Sequence, residues 1–184
     1  MNEGSKAEKL EDANLMAGRE SSPADSVHER FMAIALAEAA AARDADEVPV
    51  GAVVCLDNRV VARAHNNVIA SRDPTAHAEI IALRRAADRI GNYRLSGMTL
   101  YSTLEPCIMC AGAILQARIS RLVFGALDPK AGAVRSLYSL LNDERLNHSL
   151  DIVEGICSEE CSEILSGFFR QKRISSSPRF DDER

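Results

Sequence analysis

The chain is expected to be an α/β protein, with a central five-stranded mixed sheet and helices on both of its faces. Three observations predict this. β-rich and helical segments alternate, which implies crossover helices packed on one sheet. Two β-rich segments flank an Asp-Asn pair, the mark of a hairpin and so of at least one antiparallel pairing. The 184 residues, 46% hydrophobic and 27% charged, suit one domain with a proper core. Aromatic residues make up only 4% and Trp is absent, so Ala, Val, Ile and Leu must build that core.

The elements follow in order. Ser26 to Glu29, "SVHE", is a capping-box pattern before an apolar run. It predicts a helix from Val27 to about Arg43, with Phe31, Ile34 and Ala35 facing inward. "VPVGAVVCL" and "RVVARAH", on either side of Asp57-Asn58, predict the hairpin. A helix is expected from about Ala76 to Ile90, stopped by Gly91-Asn92. "MTLYST" then reads as a strand, "CIMCAGAILQA" as a helix and "RLVFGA" as a buried strand. Residues 127–149 read as loop with a short helical piece near Leu137 to Leu141. "LDIVEG" supplies a fifth strand, and Ser158 to Arg173 a final helix. Residues 1–25 are polar without sustained periodicity and are expected to be a disordered extension. Residues 26–173 form the folded domain, and 174–184, with Ser175 to Ser177 and Pro178, a flexible tail.

No apolar run reaches the length of a membrane span, and the first thirty residues lack the apolar centre of a signal peptide. A cytoplasmic protein without a membrane partner is expected. The five Cys are an odd number, which argues against a disulfide framework. The net charge of −5 at first opposes a nucleic-acid substrate, but its distribution softens the objection. Acidic residues outnumber basic ones before Ser26, whereas "FRQKR", Phe169 to Arg173, is basic with no acid. A local basic patch is enough to hold phosphates.

Cys107 and Cys110 are spaced i, i+3, which puts both sulfurs on one helix face. Pro106 suits the start of that helix, where the dipole favours thiolates. Two adjacent thiolates repel unless a cation lies between them, and Zn²⁺ is the natural cation for S and N ligands. The pair alone leaves redox and burial readings open. His77 shifts the balance. It lies thirty residues upstream at the start of the preceding helix, and two such helices on one sheet face can bring their N-termini together. Three ligands, His77, Cys107 and Cys110, leave one tetrahedral position for water, as in catalytic sites. Zinc lowers the pKa of such a water, and Glu79, two residues after His77, is placed to carry its proton. A rival closed site would use Cys107, Cys110, Cys157 and Cys161, but leaves His77 and Glu79 unexplained. Cys55 reads as core, His65 as cleft-lining or core, and His28 and His148 as surface residues.

"HAE" with "PCIMC" resembles the zinc nucleobase-deaminase signature. The similarity extends through "EVPVGAV", "DPTAHAEI", "NYRL", "TLYSTLEPCIMCAGAI", "RLVFGALDPKAGA", "LNH" and "FFRQKR", from about Ser26 to Arg173. These segments resemble the bacterial tRNA-specific adenosine deaminases. The resemblance implies a cytidine-deaminase-like three-layer fold, a homodimer, one zinc per chain and deamination of adenosine to inosine at the wobble position of a tRNA anticodon, chiefly of arginine tRNA. It gives Asn66 a contact with the base. Asp128 and Lys130 match a loop that touches the anticodon, and Arg170, Lys172 and Arg173 are expected to meet phosphate. Asn67 stands where the family often has Arg, and Arg135 where Gly is expected. Two other readings stay open at this level. One is a deaminase of a free base or nucleoside; the other is a non-catalytic, zinc-stabilised RNA-binding subunit.

Overall fold

A computed structural model describes residues 23–175. The elements are α1 (Pro23–Asp44), β1 (Gly51–Leu56), β2 (Arg59–His65), α2 (Val68–Ser71), α3 (Ala78–Ile90), β3 (Thr99–Leu104), α4 (Ile108–Gln116), β4 (Arg121–Ala126), β5 (Asp151–Glu154) and α5 (Ser158–Ser175). They form the expected α/β fold. One five-stranded sheet runs β2-β1-β3-β4-β5. β1 is antiparallel to both β2 and β3, while β3, β4 and β5 are mutually parallel.

The alternation of side chains along a strand makes two cores. Ala52, Val54, Leu100, Leu122 and Phe124 point to one face, where α3 and α4 bury Ala78, Ala82, Leu83, Ala111 and Ile114 against them. Val53, Cys55, Tyr101 and Val123 point to the other, where α1 brings Phe31, Met32 and Ala35 and α5 brings Cys161. A sheet covered on both faces reads as a continuous apolar run rather than an alternation, as "GAVVCL" and "RLVFGA" do. The small-residue composition permits close layers. A Cβ on Gly51 would lie 1.9 Å from the Ala35 carbonyl, so α1 rests directly on β1. β2 is an outer strand. Arg85 and Arg89 of α3 donate to its Arg63 and Val61 carbonyls at 2.7 and 3.1 Å.

Several local expectations are corrected. α1 begins at Pro23, whose fixed φ suits a first turn, so Ser26 lies inside the helix and does not cap it. Residues 23–25, expected in the N-terminal extension, are helical; residues 1–22 and 176–184 lie outside the described residues. α5 runs two residues past Arg173, to Ser175. β1 starts at Gly51, because Pro49 has no amide to give a ladder. The helical piece after residue 127 is a single 3₁₀ turn, Leu140–Asn142. α2 was not anticipated. Among the histidines, His28 is half-buried, with its Nδ1 2.9 Å from the Tyr101 hydroxyl, and His148 donates from Nε2 to the Ile119 carbonyl at 2.8 Å. His65 is neither core nor cleft: it pairs with Glu38 at 2.8 Å.

Candidate active site

The carboxyl ends of β2, β3 and β4 and the amino end of β1 meet at one edge of the sheet. Ligand sites in open α/β sheets form in the crevice beyond strand carboxyl ends. A cleft of about 620 Å³ opens there. Its lining includes Asn66, His77, Glu79, Cys107, Asp128 and Lys130, residues gathered from four separate stretches of chain.

His77 and Cys107 are the residues that immediately precede α3 and α4. Both are extended, with φ/ψ of −72/151° and −73/175°, and neither side chain caps its helix. The side chains are therefore left to face each other. The Thr75 amide and hydroxyl both donate to Asp73 Oδ1, at 2.8 and 2.7 Å, and this Asx turn presents His77. His77 Nδ1 lies 3.8 Å from Cys107 Sγ and 3.7 Å from Cys110 Sγ. Ideal tetrahedral zinc bond lengths give an N···S edge of about 3.6 Å, so the three atoms fit the cation. This is the one group of metal-ligating side chains found among the described residues. Cys157, just before α5, and Cys161, within it, pack on the opposite face of the sheet, so the closed four-cysteine site is overturned.

The electrostatics agree with a site built for a cation. The Cys110 thiol, then the His77 ring, hold Cys107 down at about 3 against the effect of its burial. Cys110 is pushed far up, first by Cys107 and then by its own burial. Two thiols this close do not both ionise unaided. His77 is raised, chiefly by its contact with Cys107.

Glu79, in the first turn of α3, is 3% exposed, and burial raises its carboxyl. Ser102 reaches Oε1 only at 3.5 Å. Oε2 is the one buried side-chain polar atom among the described residues without a partner. Such an orphan is costly and marks a site that expects a polar visitor.

Asn66 is 7% exposed and already employed: its Oδ1 accepts the Ala78 amide at 2.8 Å and its Nδ2 donates to the Val48 carbonyl at 3.1 Å. It thus ties the end of β2 to the first residue of α3. Asp128 accepts the Lys130 and Ala131 amides at 2.9 and 3.2 Å and so shapes its own loop. Arg170, Lys172 and Arg173 lie outside the lining, but Ser162, Ser166 and Phe169 of α5 are in it. Arg173 follows Phe169 by four residues and continues that face of the helix. Lys172 instead pairs with Asp46 at 2.5 Å and sits 5.4 Å from the Phe168 ring. Arg135 turns its side chain to Glu154 at 3.0 Å.

Sequence reasoning missed Glu47 and Glu105, each 1% exposed, as well as the apolar wall of Ile69, Leu127 and Phe169. Glu47 accepts the Ile69 and Ala70 amides, both at 2.8 Å, at the start of α2. Both carboxylates sit inside quoted motifs, "EVPVGAV" and "TLYSTLEPCIMCAGAI", and an acid in an otherwise apolar run was the available signal.

A His-Cys-Cys cluster with a sealed, non-ligating glutamate beside it, on a mixed sheet covered on both faces, defines the nucleobase-deaminase class. Residues 26–173 match the MafB19-like deaminase family. The tRNA-specific adenosine deaminase of Haemophilus influenzae is 52% identical over 146 residues, covering 79% of this chain and 84% of that protein. Its counterpart in Bacillus subtilis is 46% identical over 79% of this chain and 90% of that protein. A structure solved in a study of A-to-I editing by tRNA:A34 deaminases superposes with a TM-score of 0.72 at 49% identity, covering 74% of this chain and 99% of that one. The chain belongs to the tRNA-specific adenosine deaminase family.

Proposed function

We propose that this chain is a hydrolase that converts adenosine to inosine at the wobble position of a tRNA anticodon, chiefly of arginine tRNA. The observation that carries the mechanism is the sealed Glu79, with an unpartnered oxygen, beside His77, Cys107 and Cys110. A zinc ion held by those three side chains would lower the pKa of the attacking water. Glu79 takes a proton from that water and delivers it to the purine ring nitrogen. It then moves the second proton to the exocyclic amine, which leaves as ammonia. A carboxyl raised by burial is suited to both accept and donate. Asn66 keeps one amide hydrogen and one lone pair for the base after its two structural bonds. The cleft's apolar wall accommodates a flipped purine, and Asp128, Lys130, Arg170, Lys172 and Arg173 are assigned to the flanking nucleotides and phosphates.

The homodimer and the cytoplasmic setting belong to this proposal. Exposed Ile69, Ile108 and Leu127, between 53% and 65% accessible, offer apolar surface near the cleft for a second copy. No helix among the described residues is long and apolar enough to cross a membrane. The experiment is incubation with total tRNA, scored by sequencing for adenosine-to-inosine change. Change confined to the anticodon's first position is expected. Comparable turnover of free adenosine, guanine or cytosine would replace the tRNA reading with that of a free-base enzyme.

A further inference from the structure

We propose that Glu105 is a positioning residue that builds the substrate-contacting loop and locks it to the strand entering the metal site. It deepens the tRNA reading and rests on it. Glu105 stands between the end of β3 and Pro106-Cys107, fully buried, and its carboxylate is the centre around which residues 128–136 are wrapped. Oε1 accepts the amides of Val134, Arg135 and Ser136 at 3.0, 2.6 and 2.9 Å. Oε2 accepts the Asp128 amide at 3.0 Å and the Ser136 hydroxyl. Every one of these donors comes from the one loop. Four backbone amides and a hydroxyl aimed at one carboxylate form a concave anion cradle, here filled by the protein's own side chain. Bonds to an ionised acceptor are about twice as strong as neutral ones, which suits a loop with so little secondary structure.

The backbone is adapted to this arrangement. A Cβ on Gly132 would lie 2.3 to 2.6 Å from the Glu105 carboxylate atoms, so any side chain there would have to push the carboxylate aside. The same loop also grips the metal side. Gly132 bridges Cys107 in a β pairing, and the Ala133 amide donates to the Pro106 carbonyl at 2.9 Å. Asp128 and Lys130 therefore reach the cleft on a support that shares its anchor with Cys107.

Glu105→Gln tests this. An amide keeps the volume but replaces one acceptor oxygen with a donor, which then faces a donor. With zinc content unchanged, KM for an anticodon stem-loop should rise about tenfold or more while kcat stays within about threefold. Hydrogen exchange should speed up at Asp128 and Val134 to Ser136 but not in α3 or α4. Gly132→Ala, which crowds the carboxylate without changing it, should give the same pattern and stands in if Glu105→Gln fails to fold. The proposal is overturned if exchange in the loop is unchanged, if kcat collapses with KM constant, or if zinc is lost. If wild-type protein does not act on the stem-loop, the tRNA reading fails by itself. The exchange experiment still decides whether Glu105 holds the loop.

Discussion

His77 and Cys107 hold the same station in two consecutive helices: each is the last extended residue before the first turn, and their Nδ1 and Sγ atoms lie 3.8 Å apart. A residue just inside a helix points back along its own axis. One just outside it is free to point across to a neighbour, and the sheet fixes how far apart the two helix starts are.

The metal should follow this geometry. The pure protein is expected to carry about one zinc per chain, because three ligands and a water complete one tetrahedral site. Cys107→Ser or Cys110→Ser should abolish binding, measured by elemental analysis. The Cys157→Ser, Cys161→Ser double variant should retain full zinc, and loss of metal there would refute the assigned ligand set.

Glu79→Ala is expected to keep zinc, melting temperature and tRNA affinity while the single-turnover rate falls by about 10²–10⁴ or more. Glu79→Gln should be nearly as slow, since the amide matches the carboxylate in size but carries no mobile proton. Retention of more than about a tenth of the rate would remove Glu79 as the proton carrier. Loss of zinc would instead make it part of the metal-binding framework.

Neutralising Arg170, Lys172 and Arg173 together should weaken tRNA binding and flatten its dependence on salt. Arg173→Gln alone should account for more of the effect than Lys172→Gln, because Arg173 extends the face that Phe169 presents to the cleft whereas Lys172 lies over the Phe168 ring, outside the lining. Equal effects at the two positions would show that the helix face does not matter. Binding measured across a salt series separates these outcomes.

Two glycines should respond in opposite senses. Gly51→Ala drives a methyl into the α1 backbone and should destabilise the fold by about 1–3 kcal/mol or more. Gly167→Ala in α5 meets nothing within 4 Å and should stabilise by about 0.5–1 kcal/mol. Thermal melts of the zinc-loaded variants decide both.

The sheet and its helices were legible because their signals are local: apolar runs, a hairpin turn, and a helix stop at Gly91. The cluster of His77, Cys107 and Cys110 was legible because few residue types bind zinc, so chemistry narrowed the choice. Glu105 and Glu47 were not, since a carboxylate that accepts backbone amides leaves no spacing rule. Its partners are 23 to 31 residues away for Glu105 and 22 to 23 for Glu47. Asn66 shows a subtler gap. Resemblance supplied a contact with the base, but only the fold reveals that the same amide pins the start of α3.

The two guanidiniums that α3 lays on β2 have a consequence for how the molecule behaves in a crowded solution. An outer strand with bare carbonyls is a template on which another chain can add itself. At Val61 and Arg63 those acceptors are occupied by Arg89 and Arg85. A stray segment would have to displace a charged group to pair there, and would gain a bond only by breaking one. The contacts that dock α3 thus insulate that border of the sheet against runaway polymerisation, independently of anything that happens in the cleft.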